Sequence, residues 1–509
     1  MRLLYRCLLV FAAVNACASD LDTIGITLVR SFDPTLLGTG VPVVQVEAEA
    51  PGWEVNPAAV AQPTSLFTWH SASGTSSTFP NSAGAESWHA DQVGGIFYGT
   101  IQGAALGVLH VDNYEAVYFI SDIVQPALSI PANLANQSFT LANQNLTVDQ
   151  DYDDYAARYN VLFVTGAGND GAVKSPGTAY NSIAIAAYGG SSSVGPTTDG
   201  RAKPDITAPG SLTSFSAALV SGAAAVLLQA GNRGDGGPNS VSAASDIRLL
   251  KALLLDGAQK PTGWTNSTST PLDLRHGAGI VNAFQSWRQL RGGKHSAQAS
   301  TQVTLGGAHP PPSPTGAYVD RRGWDLATAT STVPQDGIKH YFLNAQAAPN
   351  RLFTFTATLV WNRQRSQSTI NDLNLFLYND DNGALVASSQ SLVDNVEHIY
   401  LTNLPPGTYD LQVFKSGGLL NRVSNDETYA LAFDFGPPEP AHFVNTKVLS
   451  GNFQSTLSGE PNQNYAIQAT SDFLTWTTVA KNQTSSAGIT QFFTSASTSP
   501  RFFRALELP

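Results

Sequence analysis

The chain has 509 residues, enough for about three domains at roughly 150 residues each, which excludes a single small module. Hydrophobic residues make up 42% and charged residues only 13%, about half the usual share, which excludes disorder and long solvated helices. The net charge of −11 excludes nucleic acid as an expected partner, because such a molecule repels phosphate backbones and anionic membrane surfaces.

At the N-terminus Arg2 and Arg6 precede an apolar run from Cys7 to Val14, and Ala16 and Ala18 flank Cys17 in an A-x-A pattern. This predicts a secretory signal peptide over 1–18, with the mature chain starting near Ser19. Cys7 and Cys17 are the only cysteines, so the mature chain would hold neither a disulfide nor a catalytic thiol. A lipid anchor on Cys17 is the competing reading, and Asn15 fits a lipobox poorly. No other apolar run reaches the length of about 20 that spans a bilayer. The expectation is a secreted or cell-surface protein with no integral membrane segment once the signal is removed.

From about 38 to 290, short β-branched runs alternate with Ala-rich helical stretches, the pattern of a parallel sheet with helices on its faces. VPVVQVEA at 41–48, YNVLFVTGAG at 159–168 and SIAIAAY at 182–188 each suit a strand buried on both sides. Phe215 to Ala230 predicts a buried helix with Gly231 as its C-cap. At 297–317 periodicity gives way to SAQASTQVTLGGAHPPPSPTG, a linker by its Pro and Gly content, and a core ending near 296 is expected to stand alone. Alternating runs such as LFTFTATLVW at 352–361 then predict an antiparallel β-sandwich over 318–436. GPPEP at 436–440 opens a second linker, 437–444, ahead of a small β module over 445–509.

Amide hydrolysis by a serine requires a nucleophile, a base within hydrogen-bond reach, an acid that orients the base, and donors for the oxyanion. Ser214, in TSFSAALVSG, stands at the start of the buried helix, where free N–H groups and the helix dipole favour negative charge. His89, in HADQVGG, precedes a Gly-rich helical stretch. Asn169, in VTGAGNDG, follows a buried strand and could donate its side-chain amide. Glu47 ends another buried strand, where a carboxylate needs a partner.

In this order, and with SPGTAYNSIAIAAYG at 175–189, GRAKPDITAPG at 200–210 and GAGIVNA at 277–283, these segments resemble the subtilisin-like serine proteases, the subtilase family. The resemblance covers about 40–290. It implies a three-layer α/β catalytic domain spanning 19–296, with Ser214 as nucleophile, His89 as general base and acid, Glu47 orienting His89, and Asn169 as oxyanion donor. It also implies that Ser138, Phe139 and Thr140 bind substrate backbone in an extended strand. The region over 318–436 is similar to the jelly-roll domain of larger subtilases. Four features depart from the family: Glu47 stands in place of aspartate, Leu212 in place of glycine and Ala218 in place of proline, and the gap from Gly210 to Ser214 is short. Little sequence is left for a folding prodomain.

No cofactor is required by this chemistry. Asp149, Asp151, Asp153 and Asp154 begin like an EF-hand loop, but Asp154 and Asn160 fall where glycine and glutamate are needed, so structural calcium is unsupported and no metal ligands are assigned. The acidic cluster is read instead as stabilising the start of a helix through Tyr155 to Arg158. Asp380, Asp381, Asn382 and Gly383 read as a hairpin turn. The leading function is a secreted, monomeric serine endopeptidase acting on polypeptides through an acyl-enzyme. The alternatives are an inactive subtilase scaffold that binds peptide, and a surface or matrix protein whose β modules carry the function.

Overall fold

Strands buried on both faces need helices above and below them, and the apolar runs of the first half fold that way. The computed structural model describes residues 19–49, 51–299, 311–312, 314, 316–345, 352–420, 422–436, 441–449, 452–459, 463–472, 474–485, 489–495 and 501–508. Residues 1–18, with Cys7 and Cys17, lie outside the described residues, as does most of the 297–317 segment.

An eight-stranded sheet is formed by β1 (Pro42–Glu47), β2 (Phe67–Ser71), β3 (Gly74–Ser76), β4 (His110–Glu115), β5 (Leu134–Gln137), β6 (Leu162–Gly166), β7 (Ile183–Tyr188) and β8 (Ile206–Pro209). Its order is β3-β2-β4-β1-β5-β6-β7-β8. Only the β2–β3 hairpin is antiparallel; every other pair is parallel, so the crossovers carry the helices. The helix Thr213–Asn232 lies against β5–β8, and the helix Trp88–Phe97 packs on it. Thr213–Asn232 is long and apolar enough to cross a membrane by length and composition, yet it is an interior helix. Gly231 lies inside this helix and is not its C-cap, which is Arg233. A Cβ there would come within 2.8 Å of the Ala244 carbonyl oxygen, so close approach of the next helix explains the glycine.

Among the described residues the strands of the second half pair antiparallel. β9 (Gln298–Ala299), β11 (Gly337–Asn344), β13 (Leu373–Asn379), β14 (Leu385–Ser389) and β16 (Thr408–Lys415) make one sheet in the order β14-β13-β16-β11-β9. β10 (Arg322–Thr330), β12 (Phe353–Trp361), β15 (Val396–Leu404) and β17 (Asp426–Gly436) make the other, in the order β10-β17-β12-β15. Phe355, Leu359, Leu375, Leu411 and Phe433 fill the space between them, as alternating strands of a sandwich must. The turn at Asp380–Gly383 joins β13 to β14, with Gly383 at φ 69°. Beyond it, β18 (His442–Leu449), β19 (Asn452–Ser458) and β22 (Ile489–Ser495) form one small sheet, and β20 (Asn464–Thr470), β21 (Thr477–Gln483) and β23 (Phe502–Glu507) another.

The two large units share their interior. Trp324, Val360, Val396, Ala430 and Ala432 of the sandwich belong to the same buried cluster as Leu253 and Leu290 of the α/β unit. Trp324 Nε1 donates to the Leu290 carbonyl at 2.9 Å, and Asp256 accepts from Thr356 Oγ1 at 3.0 Å and Thr358 Oγ1 at 2.8 Å. The sandwich therefore covers apolar surface of the α/β unit that a core ending near 296 would leave open.

The acidic cluster also differs from its sequence reading. The helix Leu146–Tyr159 is capped by Asn145, and the carboxylates serve distant partners. Asp153 Oδ2 takes Arg363 Nε at 2.8 Å, Asp154 Oδ1 takes Arg363 Nη2 at 2.8 Å, and Asp149 Oδ2 takes Thr178 Oγ1 at 2.6 Å. Among the described residues no cluster of His, Cys, Asp and Glu is suited to a metal.

Candidate active site

β1 delivers Glu47 to the C-terminal end of the sheet with its carboxyl fully buried. Ser87 caps the helix Trp88–Phe97, which puts His89 at its second position, and His89 Nδ1 donates to Glu47 Oε2 at 2.8 Å. The other carboxyl oxygen, Oε1, accepts from Gln45 Nε2 at 2.8 Å. Gln45 also donates to the Ala90 carbonyl at 3.0 Å, and its own oxygen accepts from the buried Tyr98 hydroxyl. Burial pushes the Glu47 carboxyl above the ordinary carboxylate range, while the hydrogen bonds and charge of His89 and that of Gln45 pull it back. His89 shows the complementary effect: burial lowers its pKa, and the bond to Glu47 with its negative charge raises it by more, leaving the imidazole above its ordinary value. Gln45 is absent from the sequence reading. The available signal was one polar residue inside VPVVQVEA, two positions from Glu47 and so on the same strand face.

Ser214 is the second residue of the helix Thr213–Asn232, and its N–H has no hydrogen-bond partner among the described residues. Asn169 fixes the first turn: its Oδ1 accepts from Thr213 N at 2.9 Å and Thr213 Oγ1 at 3.0 Å, which leaves its exposed Nδ2 free to donate outward. The Ser214 N–H and the Asn169 amide are therefore both available to an oxyanion. The Ser214 hydroxyl donates to the Ser138 carbonyl at 3.4 Å, and Ser138 Oγ donates in return to the Ser214 carbonyl at 3.1 Å. Among the described residues no hydrogen bond joins His89 to Ser214. The imidazole instead meets the Phe215 ring, centroids 5.9 Å apart.

The residues expected to bind substrate follow β5 directly. Ser138 N donates to the Val46 carbonyl at 3.3 Å, Phe139 is buried in the core, and Thr140 is half-buried. Ser138 Oγ also accepts from Asn136 Nδ2 at 3.0 Å, and Asn136 Oδ1 accepts from Ser221 Oγ at 3.0 Å. A buried polar chain therefore runs from the middle of the Ser214 helix through β5 back to Ser214.

The departures have local explanations. The short connection after β8 closes through Ser191 N, which donates to the Ser211 carbonyl at 3.0 Å, and through a parallel bridge between Ser191 and Leu212. Leu212 has φ −134° and ψ 154°, extended backbone that any residue adopts, so its position does not demand glycine. The close approach falls on Gly190, where a Cβ would lie 2.2 Å from the Gly210 carbonyl oxygen. Ala218 is buried within the helix.

Residues 68–279, which include His89, Asn169 and Ser214, match the subtilase family, Peptidase S8. A comparison with curated protein sequences gives no match. Among solved structures the chain is similar to a protease of Pseudoalteromonas arctica PAMC 21717, at 18% identity and TM-score 0.37, covering 52% of this chain and 94% of that one. It is also similar to the PatG macrocyclase domain, at 17% identity and TM-score 0.39, covering 54% and 98%. Tripeptidyl peptidase 2 is similar at 13% identity and TM-score 0.32, covering 76% of this chain and 43% of that one.

Proposed function

We propose, from the match of residues 68–279 to the subtilase family, that the protein is a secreted endopeptidase working through Glu47, His89 and Ser214. The observation that carries the reading is the 2.8 Å bond from His89 Nδ1 to a carboxyl buried at the end of β1. Such a bond places the imidazole lone pair on Nε2, on the ring edge away from the acid. Ser214 Oγ leaves the Ser138 carbonyl, gives its proton to His89 Nε2 and attacks the scissile carbonyl carbon. The oxyanion is held by the Ser214 N–H and by Asn169 Nδ2. His89 returns the proton to the leaving amine, and water then releases the acyl group by the same steps in reverse. Polypeptides are the substrate, the 138–140 edge aligns their backbone, and the chain acts as a monomer without a cofactor. The sandwich is read as a jelly roll that stabilises the protease unit.

A second reading, an inactive peptide-binding scaffold, is favoured by the Ser214 hydroxyl being turned to Ser138 and not to His89. Resting sites often hold such bonds long or unmade until substrate binds. Purified mature protein incubated with a denatured protein separates the two: internal cuts that vanish in Ser214→Ala support the protease, and no cuts, or cuts that persist in the variant, refute it.

A further inference from the structure

Five of the eight tryptophans are buried, whereas Trp88, immediately before His89, is 69% exposed. Its indole meets Phe215 edge to face, centroids 6.5 Å apart at 87°, and Phe215 in turn lies against the His89 imidazole. The two rings come from the first turns of two different helices, one beside the histidine and one beside the serine. Both rings are carried by the turns that hold the histidine and the serine, which places an aromatic surface at the edge of the site. An exposed indole packed on the ring that touches the imidazole is in place to contact a side chain bound beside the reacting pair.

Resting on the protease reading above, we propose that Trp88 is a specificity-determining residue that selects a large apolar side chain, aromatic above all, on the leaving-group side of the scissile bond. His89 hands its proton to the leaving amine, so the residue carrying that amine lies over the imidazole, and the rings that touch the imidazole are its neighbours. The 138–140 edge meets Ser214 through Ser138 and is a separate contact. An incoming ring extends the existing Trp88–Phe215 contact at ordinary aromatic spacing, while a short or charged side chain leaves the indole wet.

The test uses two internally quenched peptides that differ only in the residue after the scissile bond, Phe or Ala. Wild-type kcat/KM is expected to favour Phe by about tenfold or more, Trp88→Ala to bring the ratio within about twofold, and Trp88→Phe to keep most of it. A ratio near one in the wild type, or an unchanged ratio in Trp88→Ala, overturns the proposal; losses common to both peptides cancel. If the wild type cleaves neither peptide, the protease reading fails and binding decides the subsite. Tighter binding of the Phe peptide by Ser214→Ala, lost in Trp88→Ala/Ser214→Ala, supports it, and equal affinities overturn it.

Discussion

Glu47 is a longer acid than the aspartate of the subtilase pattern, and the chain accommodates it by giving each carboxyl oxygen its own donor, His89 on one and Gln45 on the other. The His89 imidazole is held above its ordinary pKa by that carboxylate, so removing the charge must lower it. In Glu47→Gln the His89 ring resonances are therefore expected to titrate at lower pH than in the wild type. A titration unchanged or moved upward in an NMR pH series contradicts the assignment. Asn169→Ala removes one of two oxyanion donors, and kcat is expected to fall by about 10²- to 10³-fold with KM little changed. Steady-state kinetics check it, and a loss confined to KM contradicts it. Four side chains of the candidate site, Glu47, His89, Asn169 and Ser214, could be named from the sequence because each stands near the end or start of a strongly patterned element. Gln45 and the Ser138–Ser214 exchange were not, because strand pairing and helix docking bring those groups together across the fold.

The helix Thr213–Asn232 shows what element-scale patterning can reveal. Its Ala-rich, apolar sequence gives away its burial, but the reason for its small residues appears only in the packing. A Cβ on Gly222 would lie 2.3 Å from the Ala104 Cβ, a neighbour with no flexible end to yield. Gly222→Ala should therefore destabilise by about 1–3 kcal/mol from overpacking, which outweighs the gain in helix propensity of about 0.5–1 kcal/mol. Chemical denaturation measures this, and a stabilised variant contradicts the close helix–loop contact. The carboxylates at 149–154 mark the limit of local reading. Their spacing suggested a helix start, and their partners Arg363 and Thr178 lie far along the chain, where no spacing rule points to them.

On the scale of the whole molecule, the α/β unit and the sandwich share one buried cluster. Arg363 is 2% exposed and reaches across to the fully buried Asp153, and Trp324 and Val360 extend the core of the first unit into the second. Arg363→Ala removes the paired cation and leaves the buried Asp153 carboxylate with the Asn181 N–H and the more distant Arg201 charge, and should cost about 3–5 kcal/mol near neutral pH. Burial already holds Asp153 above its ordinary pKa despite the pull of Arg363. A carboxyl with a raised folded pKa destabilises when ionised, so the penalty should shrink as pH falls toward the carboxylate range. Urea titrations at neutral and mildly acidic pH test this, and a penalty that grows on acidification contradicts it. A chain ended near 296 exposes the apolar surface that Trp324, Val360 and Ala432 cover, and is expected to aggregate or unfold.

In the proposed mechanism Ser214 is the nucleophile, activated by His89. Treatment of the purified full chain with a fluorophosphonate, followed by mass spectrometry, tests it most directly. One adduct is expected, on Ser214, absent from Ser214→Ala and strongly slowed in His89→Ala. Failure of the wild type to form that adduct, or equal labelling of the Ser214→Ala protein, contradicts it.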